Sequence, residues 1–497
     1  MKEYSISEIQ KLMEVGKLTA KLLTKKYLER INKIDKKGPK INSIIELNPD
    51  ALQIAESFDE ERKNKKNRSP LHGVPVLIKD NITTSDKMMT TAGSLALEGY
   101  KATRDAFIVH RLREAGAIIL GKTNLSEWAN FRSTRSTSGW SSRGGQTLNP
   151  YVLDRNPWGS SSGSAVAVAA NLCIVSIGTE TDGSIICPSH VNSIVGIKPS
   201  IGLVSRTGII PISHNLDTAG PMARTVEDAA ILLSILVDVD PEDHCSIKNS
   251  NEIPSDYTEF LDANGLQDAR IGVARNFFGK NEHVHQVMVK SIEKMQNLGA
   301  TIIDPTDITI TSALKYPEYQ VLLYDFKHDL NEFLKNYIPD DFPQTLNDLI
   351  QYNNQNKEKI MPYFGQEIFK LAEEKGPLSS EEYKTALEKC QKLAREDGID
   401  KVMQENQLDA IIAPSGGPAW LIDYKKGDRF TGESSSPAAV AGYPNITVPA
   451  GYVFGLPVGI SFFAGIFQEP VLFKLAYAFE QASKVRQSPK YLDTLKI

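Results

Sequence analysis

The chain has little cysteine and no long apolar run. Its four cysteines among 497 residues, Cys173, Cys187, Cys245 and Cys390, lie far apart with no C-x-x-C spacing. That argues against structural zinc. Cys173 and Cys187 sit in apolar segments and read as core-packing thiols. The eight histidines show no H-E-x-x-H pattern, so no metal ligands are assigned. His283 and His285 would share a strand face but not a helix face, and they read as surface residues. No stretch of 18 apolar residues exists, which excludes a membrane-spanning helix. A basic excess is missing too: 56 Lys and Arg stand against 61 Asp and Glu, a net charge of −5. A nucleic-acid partner would call for the opposite balance. Internal repeats and low-complexity segments are also missing. Met1 to Ser5 carry charge and lead into no apolar core. The expectation is a cytoplasmic protein, or a secreted one if a leader was removed from this form.

What is present is an ordinary globular composition, 41% apolar and 24% charged. The length allows two or three domains, or one large α/β domain with insertions. Residues 1–68 read as N-terminal helices. Ser5 with Glu8, or Ser7 with Gln10, is a capping box for the first; a second is expected from Thr19 to Ile34. Glu60 to Arg68 reads as a solvated charged loop. From Leu71 to Val204, strand-like runs (Val74–Ile78, Ala117–Leu120, Ile174–Ile177, Val195–Ile197) alternate with helical ones (Phe107–Glu114, Ser164–Ala170). That alternation predicts a parallel or mixed sheet covered on both faces. Thr225 caps a helix reaching Val237, and Pro241 to Pro254 is a polar surface connection. Arg270–Ala274 and Thr301–Ile303 read as strands around a helix from Val284 to Leu298. Residues 312–405 are polar and helical, with aromatics at Tyr316, Tyr319, Tyr324, Phe326 and Phe333. They read as an insertion over a site, against the plainer alternative that these aromatics only pack helices. Residues 408–463 return to strands, and Val471 to Lys484 is a helix.

The most informative stretch is Gly159-Ser160-Ser161-Ser162-Gly163-Ser164, followed one apolar segment later by Gly178-Thr179-Glu180-Thr181-Asp182-Gly183-Ser184. No histidine or cysteine pair accompanies it, which suggests serine nucleophilic hydrolysis with an unusual base. A flexible linker is the plainest reading of such composition. However, Ala165 to Ala170 follow at once as a small apolar run. A phosphate loop lacks its Lys-Ser/Thr. Gly159 to Gly163 also reads G-x-S-x-G around Ser161, the nucleophile elbow. That elbow needs a strand before it, whereas Gly144, Gly145, Pro150 and Pro157 mark a loop. It also needs a late histidine, and the last in the chain is His328.

A base must come from elsewhere, and lysine can serve when burial lowers its pKa. Lys79 ends the Val74–Ile78 run. Lys122 follows Ile118-Ile119-Leu120-Gly121, and Lys198 follows Gly196-Ile197. Pattern alone does not choose among the three.

At these residues the chain resembles the amidase signature family. The resemblance is dense from Leu71 to about Asp228. It rests on His72-Gly73-Val74-Pro75, Lys79-Asp80-Asn81, Gly121-Lys122-Thr123-Asn124, the serine loop and Gly183-Ser184-Ile185. It continues weakly through Asp409–Pro414 and Gly442–Pro449. The resemblance implies an α/β/α fold with a central mixed sheet, spanning 1–497 as a single domain with residues 71–228 as the signature core. It implies a Ser–cis-Ser–Lys triad: Ser184 as nucleophile, Ser160 as bridging serine after a non-proline cis peptide, and Lys79 as base. The backbone N–H groups of Thr181, Asp182, Gly183 and Ser184 would form the oxyanion hole, a contribution of roughly 3 kcal/mol per donor.

The chain departs from the commonest family pattern. Glu180 stands in the acidic position, Asp182 and Ser162 replace glycines, and Ile186 sits where arginine is usual. These departures resemble the peptide amidase branch, as do Leu125–Arg132, Gly139-Trp140-Ser141, Arg143–Thr147 and Ile209–Ser213. The implied reaction is hydrolysis of a primary carboxamide, the C-terminal amide of a peptide, without cofactor. A fatty-acid or small aliphatic amidase and the glutamine amidohydrolase subunit of an amidotransferase are the alternatives. Asn130 and Arg132 are placed by resemblance as peptide contacts. The expected partner is a small-molecule or peptide amide, with no membrane and no nucleic acid; the chain is expected as a monomer or homodimer.

Overall fold

The computed structural model describes residues 1–246 and 253–495. Thirteen strands are present among them: β1 (Ile44–Leu47), β2 (Pro75–Lys79), β3 (Ile118–Thr123), β4 (Trp140–Ser141), β5 (Gly145–Gln146), β6 (Val175–Glu180), β7 (Val195–Lys198), β8 (Thr218–Ala223), β9 (Arg270–Val273), β10 (Thr301–Ile303), β11 (Ala410–Pro414), β12 (Asn445–Val453) and β13 (Leu456–Phe463). Eleven form one sheet in the order β1-β3-β2-β6-β8-β7-β12-β13-β11-β9-β10; β4 and β5 form a small hairpin. Parallel pairs (β3–β2–β6 and β11–β9–β10) flank an antiparallel centre, so the sheet is mixed, as expected. The apolar runs of β2, β3 and β6 do not alternate because both faces are covered: every residue in them is buried.

The N-terminal helices pack on this sheet. Helix α1 (Ile6–Glu14) starts with the Ser5–Glu8 capping box. Its Ile6, Ile9 and Met13 are buried, together with Leu23, Tyr27 and Ile31 of α2 (Ala20–Ile31). Beyond Ile31 the helix widens into a π turn over Asn32–Lys36, so helical chain runs two residues past the expected end at Ile34. There the buried Asp35 carboxylate accepts hydrogen bonds from the Ser43 N–H and hydroxyl, both at 2.6 Å. The charged loop expected from Glu60 begins later than predicted. Helix α3 (Ala51–Lys63) runs through Glu60 to Lys63, and Arg62 ties its last turn to Gln10 and the His72 carbonyl.

Helix α4 (Phe107–Glu114) lies where predicted. Helix α5 (Ser162–Ala169) starts two residues before its expected position and is buried throughout. Its small residues allow that depth: a Cβ on Gly163 would fall 2.2 Å from the Ser43 carbonyl oxygen. Short α6 (Ile186–Val191) follows Ser184, and α7 (Val226–Leu236) starts from the Thr225 cap. Residues 247–252 of the polar connection lie outside the described residues. Helix α8 (Glu282–Asn297) carries His283, which is exposed, and His285, which is half-buried.

The region after Ile303 is helical, led by α9 (Thr311–Tyr337). It builds a second apolar core in which Phe326 and Phe333 meet Trp128, Phe131 and Phe369. Tyr324 is buried in a third cluster, and Tyr316 is 70% exposed. Most of these aromatics therefore pack helices, the plainer of the two readings.

Candidate active site

The parallel pairing of β2 with β6 sets Ile78 beside Ile177 and brings the C-terminal ends of both strands to one place. Lys79 is the last residue of β2. Its ammonium nitrogen Nζ donates to Ser160 Oγ at 2.7 Å, to Thr179 Oγ1 at 2.8 Å and to the Thr179 carbonyl at 3.1 Å. The side chain is fully buried. Burial pulls its pKa down from 10.5 to about 7, against the opposing charges of Asp217 and Glu180. Lys122 and Lys198 are buried as well, and each falls to about 8. Lys122 donates to the Ile82 carbonyl and Thr90, and Lys198 to the Pro199 carbonyl. Of the three lysines, Lys79 is the one that meets the serine loop.

The serines of that loop divide by their partners. The Gly159–Ser160 peptide is cis. Ser161 donates its hydroxyl to the Thr179 carbonyl at 3.0 Å and accepts the Thr179 N–H at 3.2 Å. Its hydroxyl is thus committed to holding the loop against β6, which removes the elbow's central serine from reaction. Ser162 donates to the Trp158 carbonyl, and Ser164 to the Ile177 carbonyl. Ser160 keeps its hydroxyl for Lys79. The Ser161 N–H reaches the Ser184 carbonyl at 3.1 Å, so the loop and the Ser184 turn are joined.

Ser184 sits on the turn between β6 and α6. Two carboxylates shape that turn. The buried Glu180 accepts the Ile185 and Ile186 N–H groups at 2.6 and 2.9 Å, closing the chain around Ser184. Asp182 accepts the Ser435 and Ser436 hydroxyls, both at 2.6 Å. Gly183 has φ +75°, a conformation that strains other residues. Among the described residues no acceptor takes the N–H groups of Thr181, Asp182, Gly183 or Ser184. Helix α9 adds Glu318, whose carboxyl is held well above its ordinary pKa by burial and by the charge of Asp182.

A cavity of about 650 Å³ opens alongside. Its wall includes Asn81, Thr179, Thr181 and Asp217 and continues past Ile212, Phe333, Tyr337 and Arg104. It therefore touches the groups that hold Lys79; Ser160 and Ser184 are not on its wall. Further out, Asp329 of α9 accepts the Nδ1 atoms of His214 and His328, each at 2.9 Å. Among the described residues these three form the one group with metal-ligand spacing, their donor atoms within 4.8 Å of each other.

Arg132 and Asn130, the residues expected as peptide contacts, lie beside the helical region. Arg132 is fully buried. It donates to the Ile360 carbonyl at 2.8 Å, lies 3.7 Å from Glu127, and faces the Phe364 ring at 4.5 Å. These contacts tie the helical region to the core. Asn130 has φ +72° and a side-chain oxygen without a partner in the structure. Neither residue lines the cavity. Residue patterns missed Thr179 as a lysine partner, and they missed Asp217 entirely.

The amidase family pattern matches residues 23–473. The chain belongs to the amidase family. It is 44% identical to a probable amidase of Arabidopsis thaliana over 99% of this chain and 92% of the relative. It superposes on a peptide amidase solved with the competitive inhibitor chymostatin with a TM-score of 0.95, at 46% identity, covering 98% of this chain and 99% of that one. It is also 35% identical to a glutamyl-tRNA(Gln) amidotransferase subunit of Thermoanaerobacter pseudethanolicus, over 98% of each. The fold is the amidase signature α/β fold, and the chain is an amide hydrolase. Among the described residues no helix is long and apolar enough to cross a membrane.

Proposed function

We propose that the chain hydrolyses primary carboxamides, and that its substrate is the C-terminal amide of a peptide. The observation that carries the catalytic part is the buried Lys79–Ser160 hydrogen bond of 2.7 Å, on a lysine whose pKa falls to about 7. Near neutral pH such a lysine spends much of its time as a free amine, and a free amine accepts a proton.

In the first step Ser184 Oγ attacks the amide carbon. Its proton passes to Ser160 while Ser160 passes its own to Lys79, since a hydroxyl both donates and accepts. The oxyanion that forms is met by the unengaged N–H groups of residues 181–184. The proton on Lys79 returns through Ser160 to the amide nitrogen. The C–N bond breaks, ammonia leaves, and the acyl group stays on Ser184 as an ester. Water, deprotonated along the same relay, attacks the ester; the bond to Ser184 Oγ breaks, the relay returns the proton to that oxygen, and the acid leaves as its carboxylate. No metal or redox group is needed to balance these steps.

The peptide part rests on the departures at Glu180, Asp182 and Ile186 and on the likeness to a peptide amidase solved with chymostatin. Ammonia release should be measured across a peptide amide, the same peptide extended by one residue, a fatty amide, glutamine and acetamide. Release from the first alone is the expected result. Equal cleavage of the extended peptide would show an open-ended groove and refute the assignment.

The likeness to the amidotransferase relative supports a second reading, a glutamine amidohydrolase that works for a partner. Glutamine hydrolysis together with a co-purifying partner that consumes the ammonia would favour it.

A further inference from the structure

We propose that Asp217 is a positioning residue for this reaction: its carboxylate fixes the Thr181 end of the oxyanion turn and holds a negative charge within electrostatic reach of Lys79. This inference rests on the reading of Lys79 as the base.

Asp217 directly precedes β8, whose first residue, Thr218, pairs with Glu180 at the end of β6. That register puts the carboxylate across from Thr181. One oxygen accepts the Thr181 hydroxyl at 2.5 Å. The other accepts the Ile212 and Ser213 N–H groups at 2.7 and 2.9 Å. The Asp217 N–H closes the same turn onto the Ser213 carbonyl. The carboxylate is therefore held at both oxygens and cannot swing away. It is half-buried, on the cavity wall beside Asn81, Thr179 and Thr181.

Two carboxylates thus stand at the end of β6 with different tasks. Glu180 closes the Ser184 turn with both of its contacts on backbone N–H groups. Asp217 is the largest charge that opposes the burial of Lys79, ahead of Glu180. Other charges face Asp217. Arg206 is bound to Asp243, and His214 is shared with Asp329 and Asp325 from α9. Burial raises the Asp217 pKa to about 6, against its hydrogen bonds and Arg206. Asp217 is therefore mostly ionised at the midpoint of the Lys79 titration, about pH 7.

The sign follows from the charges. A neighbouring carboxylate stabilises the protonated lysine and keeps its pKa up. Removing that charge lowers the lysine pKa, so the free amine persists to lower pH. Asp217→Asn is the informative variant. Its amide oxygen can still accept the Ile212 and Ser213 N–H groups, and its NH2 can donate to Thr181 Oγ1. The acid limb of kcat/KM in Asp217→Asn should move down by roughly one pH unit, the lower end of the range for a nearby opposite charge. The pH dependence of fluorophosphonate labelling of the serine should move with it. Thr181→Val breaks the positioning contact but keeps the charge. It should slow the reaction with its acid limb unmoved, and it tests the inference even if Asp217→Asn fails to fold. A limb that stays put in folded Asp217→Asn, or moves in Thr181→Val, overturns the inference. A wild-type enzyme with no acid limb, or an active Lys79→Met, overturns the reading of Lys79 and this inference with it.

Discussion

Replacing Lys79 by methionine should separate catalysis from stability. Methionine keeps an unbranched apolar stem and removes the amine. Loss of a positioned general base costs typically 10²–10⁴-fold, about 3–5 kcal/mol of barrier at 1.36 kcal/mol per decade. Stability should respond in another way. The fall in pKa from 10.5 to about 7 means that burying the charged lysine costs the fold about 5 kcal/mol, at 1.36 kcal/mol per pH unit. The folded-state pKa lies below the unfolded one. That cost is therefore fully present below pH 7, shrinks as pH rises, and is gone above 10.5. Methionine avoids it but leaves Ser160 and Thr179 without their lysine, a loss of roughly 1–3 kcal/mol per unsatisfied buried group. At pH 6 the two opposing effects nearly cancel, so the variant should be about as stable as the wild type. By pH 9 the wild type should have gained about 2.7 kcal/mol on the variant, two pH units above 7. Urea unfolding of both proteins at pH 6 and 9, read alongside ammonia release, tests each half. A stability difference that does not change with pH would show that Lys79 is not held near pKa 7. Retention of more than a tenth of the activity would show that it is not the base.

Ser184→Ala should abolish both ammonia release and the fluorophosphonate adduct, which mass spectrometry of the wild type should find on the peptide containing Ser184; an adduct on Ser161 would revive the elbow. Ser160→Ala should be damaging but less complete than Lys79→Met, because a water can stand in for a hydroxyl; activity equal to wild type would remove Ser160 from the relay. Glu180→Gln should lower kcat by about tenfold or more, as one amide oxygen replaces a charged acceptor of two N–H groups; an unchanged kcat would mean that the Ser184 turn holds without it. Lys122→Met should keep its activity, and a dead Lys122→Met beside an active Lys79→Met would reverse the choice of lysine.

The strands were legible because buried parallel strands write themselves as short unbroken apolar runs. Val74–Ile78 fell within one residue of β2 at both ends, and Ile174–Ile177 fell within one residue of the start of β6 but three short of its end at Glu180. Helix ends were less legible, because tertiary contacts decide them. Nothing local says that Asp35 will turn in to Ser43, or that Arg62 will reach His72. The serine loop could be seen, but the division of labour within it could not. Ser160 and Ser161 are chemically identical neighbours, and only the β6 strand lying against the loop commits one hydroxyl to Thr179 while the other faces Lys79. Arg132 is placed by resemblance, and no local signal foretells that it donates to a carbonyl 228 residues further along the chain.

The site follows from strand order more than from any one motif. β2 delivers Lys79, and β6 delivers Thr179 and Glu180. β8 is antiparallel to β6 and so starts where β6 ends, which places Asp217 there. Lys79 and Ser160 are 81 residues apart, and Thr181 and Asp217 are 36 apart, yet each pair shares a hydrogen bond. A buried lysine is tolerated at this point because the strand ends supply oxygens that a sheet interior, with its carbonyls spent on the ladder, does not. Those oxygens are enough to hold an amine but not enough to keep it fully charged. That balance is what leaves a buried lysine near pKa 7 beside the serine loop.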